Sequence, residues 1–183
     1  MRGFIYTELV ELIERQQGEE FVDRWLDSCD LPSGGAYTAV ATYPTSELVE
    51  LVQRLSAMTE IPIPDLLKAY GEHLFGYLAK AHAGIMDGLD DPFELLAQLE
   101  QHVHVEVRKL YSDAEVPTFE VESRSETEMA LVYSSVRAMP DLAHGLIHGA
   151  AKHFGRPIAI ERDDLAGDGT QVRFRLTMEP PAR

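Results

Sequence analysis

The sequence predicts an α+β fold, with helices first and a small antiparallel sheet after them. Up to about position 104, apolar residues recur at the three- and four-residue spacing of amphipathic helices. After Tyr111 the period falls to two, as in half-buried strands. Two alternating segments flank Gly167-Asp168-Gly169, a turn that suits a hairpin.

The helices come in order. Residues 2 to 17 carry Phe4, Ile5, Leu9, Leu12 and Ile13 near helical spacing, and Gly18 is placed to end that helix. Phe21, Val22, Trp25 and Leu26 build a second helix over residues 21 to 29, followed by the loop Leu31-Pro-Ser-Gly-Gly. Residues 37 to 43 are strand-like in composition but closed by Pro44. A third helix starts at Thr45 or Ser46, either of which suits a cap, with Glu47 in its first turn. Ile61-Pro-Ile-Pro is a rigid connector, and Asp65 opens a fourth helix running from Leu66 to about Ala81. That helix is apolar on several sides and is expected deep in the core. Residues 84 to 91 read as a loop. Pro92 suits the first turn of a fifth helix that continues towards His104.

The strands follow. Residues 118 to 123 alternate, Arg124-Ser-Glu-Thr is a turn, and Met129, Leu131 and Tyr133 alternate with Ala130, Val132 and Ser134. Residues 141 to 154 form another helix, stopped by Gly155 and Pro157. Residues 157 to 161 and 171 to 178 are the last two strands. The expected organisation is a single domain over 1–183. Its N-terminal helical part covers 1–64, and 65–183 holds the remaining helices and the sheet.

Composition narrows the function. At 183 residues and 45% hydrophobic, the chain suits one domain with a sizeable core. No apolar run is long enough to span a bilayer, and the early Glu8 does not suit a secretory signal, so a cytoplasmic location is expected. A single cysteine, Cys29, excludes an internal disulfide framework and a cysteine-cluster metal site. The formal net charge of −15 argues against nucleic acid or an anionic membrane as partner. Neither a nucleophile–base pair nor a phosphate-binding loop stands out, so no enzyme is expected.

Seven histidines are present. His144 and His148, four apart, share a helix face and could chelate zinc, but a third ligand has to come from elsewhere. His102 and His104, two apart, point to divergent helix faces and cannot both serve one metal from a regular helix. His104 is followed on its face by Val107, Leu110 and Tyr111, whereas His102 aligns with Glu106 and Lys109. This favours His104 as the buried imidazole.

Tyr133, Ser135 and Arg137 occupy alternate positions. On a strand they share one face and span about 13 Å. Arg137 supplies a charge-assisted fork and the hydroxyls add donors, a set that suits two carboxylates. An iron porphyrin uses both kinds of group, an axial base for the metal and donors for two propionates. On spacing alone, a hydrogen-bonded core histidine and a solvated strand face are the better accounts of these residues.

The order and register of the motifs adds to this. Met-Arg-Gly-Phe-Ile at the start, Leu-Leu-Lys-Ala-Tyr-Gly at 66 to 71 and His-Val-Glu-Val-Arg-Lys-Leu-Tyr at 104 to 111 come first. Tyr-Ser-Ser-Val-Arg at 133 to 137 and Gly-Leu-Ile-His-Gly-Ala-Ala-Lys-His-Phe at 145 to 154 follow. Together they resemble the heme-nitric oxide/oxygen binding (H-NOX) family, related to the heme domain of soluble guanylate cyclase. The resemblance covers almost the whole chain. It implies heme b (iron protoporphyrin IX) buried between the two parts of the domain, with His104 as axial ligand. Tyr133, Ser135 and Arg137 would bind the propionates. Pro117 matches a proline that presses on the porphyrin, and Ile5 matches an apolar residue touching the same ring.

Family members that hold dioxygen place a tyrosine five residues after the motif arginine. Here that position is Leu142, and the other distal positions are Leu9 and Leu74. An apolar distal wall selects against dioxygen, so NO and CO complexes are expected and a stable dioxygen complex is not. The resemblance further implies a sensor that signals through loss of the iron–His104 bond. A separate histidine kinase or cyclic-dinucleotide enzyme would read the signal. The rival expectation is a heme-free small-molecule-binding or interaction domain of similar fold.

Overall fold

The computed structural model describes residues 1–100, 104–105 and 116–179. The helices are α1 (Phe4–Gln17), α2 (Glu19–Asp27), α3 (Thr45–Thr59), α4 (Ile63–Ala81), α5 (Ala83–Met86), α6 (Pro92–Gln98) and α7 (Pro140–His153). The strands are β1 (Thr118–Arg124), β2 (Glu128–Ser134), β3 (Ile158–Asp164) and β4 (Gln171–Met178). All neighbouring strands are antiparallel, in the order β1-β2-β4-β3, with α7 linking the two hairpins. The α+β architecture read from the hydrophobic period is therefore the one observed.

The sheet is one-sided. In β4, Val172, Phe174, Leu176 and Met178 are buried while the residues between them face outward. In β2, Met129, Leu131 and Tyr133 are buried, with Val132 buried as well, and the three pair with Leu176, Phe174 and Val172 across the ladder. This buried face is covered by Ala143, Ile147 and Ala151 of α7 and by Phe93 and Leu96 of α6. A second core lies among the N-terminal helices, around Tyr6, Leu9, Trp25, Leu48, Leu51, Tyr70 and Leu74. There the Trp25 indole N–H donates to the Leu51 carbonyl at 2.9 Å, tying α2 to α3.

Several boundaries differ from the sequence reading. Neither Thr45 nor Ser46 caps α3, which begins behind Pro44 with no side-chain cap. The Thr45 hydroxyl instead accepts from Arg137 Nε at 3.2 Å, and the Glu47 carboxylate accepts from the Ser33 and Tyr37 hydroxyls. Helix α4 starts at Ile63, ahead of Asp65, because Pro64 is tolerated in a first turn whose N–H groups have no intrahelical partner. It buries one face, Tyr70, Gly71, Leu74, Phe75 and Ala79, and its other sides are partly exposed. The presumed loop after Ala81 contains the short α5. Residues 37–43 form no strand among the described residues, only the bridge Arg2↔Thr42. The rings of Tyr6, Tyr37 and Tyr43 pack on one another there, with centroids 4.7 to 5.4 Å apart.

Helices α4 and α7 meet backbone to backbone. A Cβ on Gly145 would lie 2.1 Å from the Lys68 carbonyl oxygen, and one on Gly71 would lie 2.4 Å from that of Leu142. Both are far inside contact distance, and neither obstacle is a flexible side chain. Gly145→Ala is therefore expected to cost about 1–3 kcal/mol through overpacking. Gly76, also in α4, has nothing within 4 Å of its would-be Cβ. Gly76→Ala should stabilise by up to about 1 kcal/mol through helix propensity. Urea denaturation of the two variants checks the pair; equal effects would remove the close crossing as their cause.

Candidate functional site: the seam between the two cores

His104 is buried, 9% exposed, in a helical stretch beyond α6. The α-helical pattern of α6 widens into a π turn at residues 99–100, a distortion often found at functional positions. His104 Nδ1 lies 2.6 Å from Glu100 Oε1. A carboxylate can only accept, so Nδ1 carries the proton and Nε2 has the lone pair in the neutral ring. The imidazole packs near the Phe119 ring of β1, at 5.9 Å between centroids, and Phe119 packs on Tyr133 at 5.6 Å. His102, Val107, Leu110 and Tyr111, on which the choice between the two histidines drew, lie outside the described residues.

The Tyr133–Arg137 motif is built differently from expectation. Strand β2 ends at Ser134. Ser135 to Ala138 form a turn, closed by the Ala138 N–H on the Ser135 carbonyl at 3.2 Å, with Ala138 at φ 48°. Tyr133, Ser135 and Arg137 therefore do not alternate along one strand face. The turn brings them together by another route. The Arg137 N–H donates to Ser135 Oγ at 3.2 Å, and the Met139 N–H donates to the Tyr133 hydroxyl at 3.0 Å. Each hydroxyl accepts from the backbone, so its own proton is the one it can give to an anion. Ser134, Ser135 and Arg137 line a surface cavity of about 350 Å³ with Val116 and Val136. Pro117 is half-buried immediately before β1.

Leu9, Leu74 and Leu142 are buried together in the N-terminal core, with Ile5 packed against them. Two buried tyrosines share that core, and both donate to backbone carbonyls: Tyr70 to Ile5, and Tyr6 to Pro44 at 2.7 Å. Burial, with the nearby carboxylates of Glu8 and Glu47, raises both phenols above their ordinary range. Neither hydroxyl proton is thus offered to the surrounding leucines.

The other histidines do other things. His148 Nδ1 pairs with Glu72 at 2.7 Å on the surface, where Glu72 also holds Lys152. His144 packs near Phe174, and burial pushes its pKa down to about 4. Among the described residues no three His, Cys, Asp or Glu side chains gather as a metal site, so the zinc reading finds no third ligand there.

Glu100 was missed by the sequence reading. Its signal was the four-residue spacing from His104, which places an acid one helical turn before the imidazole.

A sheet covered by one long helix, a helical N-terminal part and a buried imidazole facing the sheet define an H-NOX-type domain. The chain belongs to the Haem-NO-binding family, whose sequence model matches residues 2–162. It is similar to the H-NOX protein of K. algicida in the unliganded Fe(II) form, at 39% identity and TM-score 0.95, covering 100% of this chain and 99% of that one. It is also similar to an H-NOX protein of S. oneidensis in the Fe(II)NO state, at 30% identity and TM-score 0.89, covering 98% and 100%. A third is the IWP-051-bound H-NOX of Shewanella woodyi in the Fe(II)CO state, at 37% identity and TM-score 0.84, covering 100% and 97%. No curated protein sequence matches. No helix among the described residues is long and apolar enough to cross a membrane.

Tyr133→Phe leaves the Met139 N–H without its acceptor in a buried position. It is expected to destabilise even heme-free protein by about 1–3 kcal/mol. Denaturant unfolding of the apoprotein measures this, and an unchanged midpoint would mean that the hydroxyl does not hold the turn.

Proposed function

We propose that this chain is a heme-based gas sensor that binds NO and CO, forms no stable dioxygen complex and has no catalysis of its own. The observation that carries the proposal is the buried His104, with Nδ1 engaged by a carboxylate, so that the ring's lone pair is on Nε2. That arrangement is typical of an imidazole that ligates a metal. His104 would hold the iron of heme b. Tyr133, Ser135 and Arg137 would hold its propionates through two hydroxyl protons and a guanidinium. Pro117 would press on the ring and Ile5 would touch it, and the two parts of the domain, 1–64 and 65–183, would enclose it. When bound, ferrous heme would supply an iron able to take a diatomic gas.

The residues present fit this group. A dianionic cofactor on a chain of net charge −15 needs a local cation, and Arg137 lies in the same turn as the hydroxyls. Leu9, Leu74 and Leu142 offer no hydrogen-bond donor, and the hydroxyls of Tyr6 and Tyr70 are spent on backbone carbonyls. Dioxygen depends on a donor far more than NO or CO does, so this wall favours the latter two. An H-NOX protein of S. oneidensis has been solved in the Fe(II)NO state and that of Shewanella woodyi in the Fe(II)CO state.

The signal would be carried by His104, through whether it holds the metal or not. A ligand shifts a conformational equilibrium only by its differential affinity for the two states, and retention or release of His104 supplies that difference. The helix carrying His104 would then move relative to the sheet. A separate effector, a histidine kinase or cyclic-dinucleotide enzyme, would read the change.

The test is His104→Gly. The variant should purify with little heme and regain it when free imidazole is supplied, measured as heme per chain. Full heme loading without imidazole would remove His104 from the role.

A further inference from the structure

Glu100 does more than pair with a neighbour one turn away. Its Oε1 accepts from His104 Nδ1 at 2.6 Å and from the Phe119 backbone N–H at 3.0 Å. The first contact spans four residues, and the second reaches across 19 residues to β1. An exposed acid–base pair at four-residue spacing contributes only about 0.3–0.5 kcal/mol and fixes little. Here the imidazole is buried and the same oxygen is also pinned by a strand amide, so the carboxylate cannot swing away without leaving a backbone donor unpaired. Phe119 in turn lays its ring against both His104 and Tyr133. Glu100 thus joins the imidazole, β1 and the propionate-motif strand in one contiguous set of contacts.

We propose that Glu100 is a positioning residue for the axial histidine. It fixes the His104 tautomer and ring direction, presents Nε2 outward, and makes the imidazole a stronger donor by holding the Nδ1 proton in a charge-assisted bond. The inference rests on the reading of His104 as axial ligand. Its consequence is that the ease with which His104 lets go of iron is set by a carboxylate anchored to β1. Movement of β1 against the helix and loosening of the ligand are then linked.

Glu100→Gln is the direct test, made on the heme-loaded ferrous protein. The amide oxygen can still accept both hydrogen bonds but has no charge. The iron–histidine stretching band, read by resonance Raman, should shift to lower frequency while heme content stays near normal. Glu100→Asp keeps the charge but withdraws the oxygen by one methylene, and the band should fall there too. Glu100→Ala should release heme to an apomyoglobin acceptor roughly 10–100-fold faster, the usual cost of losing such a partner. An unchanged band in either folded conservative variant overturns the proposal. Absence of any iron–histidine band in the unsubstituted protein would instead overturn the reading of His104 itself, so the two failures are distinguishable.

Discussion

Helix α7 packs on two sides at once, and the two sides ask for opposite things. Towards the sheet it needs bulk, and it presents Ala143, Ile147 and Ala151 to the apolar face of β2 and β4. Towards α4 it must present almost nothing, because Gly145 and Gly71 let the two backbones touch. Residues at 143, 147 and 151 recur every four positions, as do the glycines at 145 and 149, so the helix period itself separates the two roles. The crossing sets the distance between the cores. It also carries Leu142, on the α4 side, into the apolar group that includes Leu9 and Leu74. Any ligand between the cores must accept the spacing that these glycines impose.

Chemistry is divided across that seam. On the N-terminal side Leu9, Leu74 and Leu142 form an apolar group, with the buried Tyr6 and Tyr70 hydroxyls turned to backbone carbonyls. On the sheet side lie the imidazole, the carboxylate behind it and the turn that gathers two hydroxyls and a guanidinium. Arg137 links the two by donating to Thr45 at the start of α3. A group with an apolar body, a metal centre and two carboxylates at one edge matches this division. Neither side offers such a match by itself.

Much of this was legible in the sequence. The two-residue period of β4 is strong because Val172, Phe174, Leu176 and Met178 are all buried on one face, and Gly18 with φ 87° ends α1 where the glycine suggested. His104, Leu9, Leu74 and Leu142 were each picked out by period or resemblance, and the structure gathers the three leucines in one core. The motif turn was not legible. Tyr-Ser-Ser-Val-Arg alternates like a strand, and the left-handed residue that bends the chain is Ala138, where a glycine would have announced it. Thr45 looked like a cap because its sequence neighbours suit one, whereas its actual partner lies 92 residues away. Glu100 was overlooked because His104 was weighed against the residues after it; the acid one turn before it engages its ring.

The account depends on a ferrous heme facing an apolar wall. The most direct measurement is the visible absorption spectrum of the reduced protein, recorded alone, with NO and in air. The account predicts a Soret band of five-coordinate ferrous heme that NO moves and that air does not convert to a stable oxygen-bound form. A colourless protein that also fails to take up added hemin would contradict the heme reading. A stable oxygen-bound spectrum in air would contradict the apolar wall.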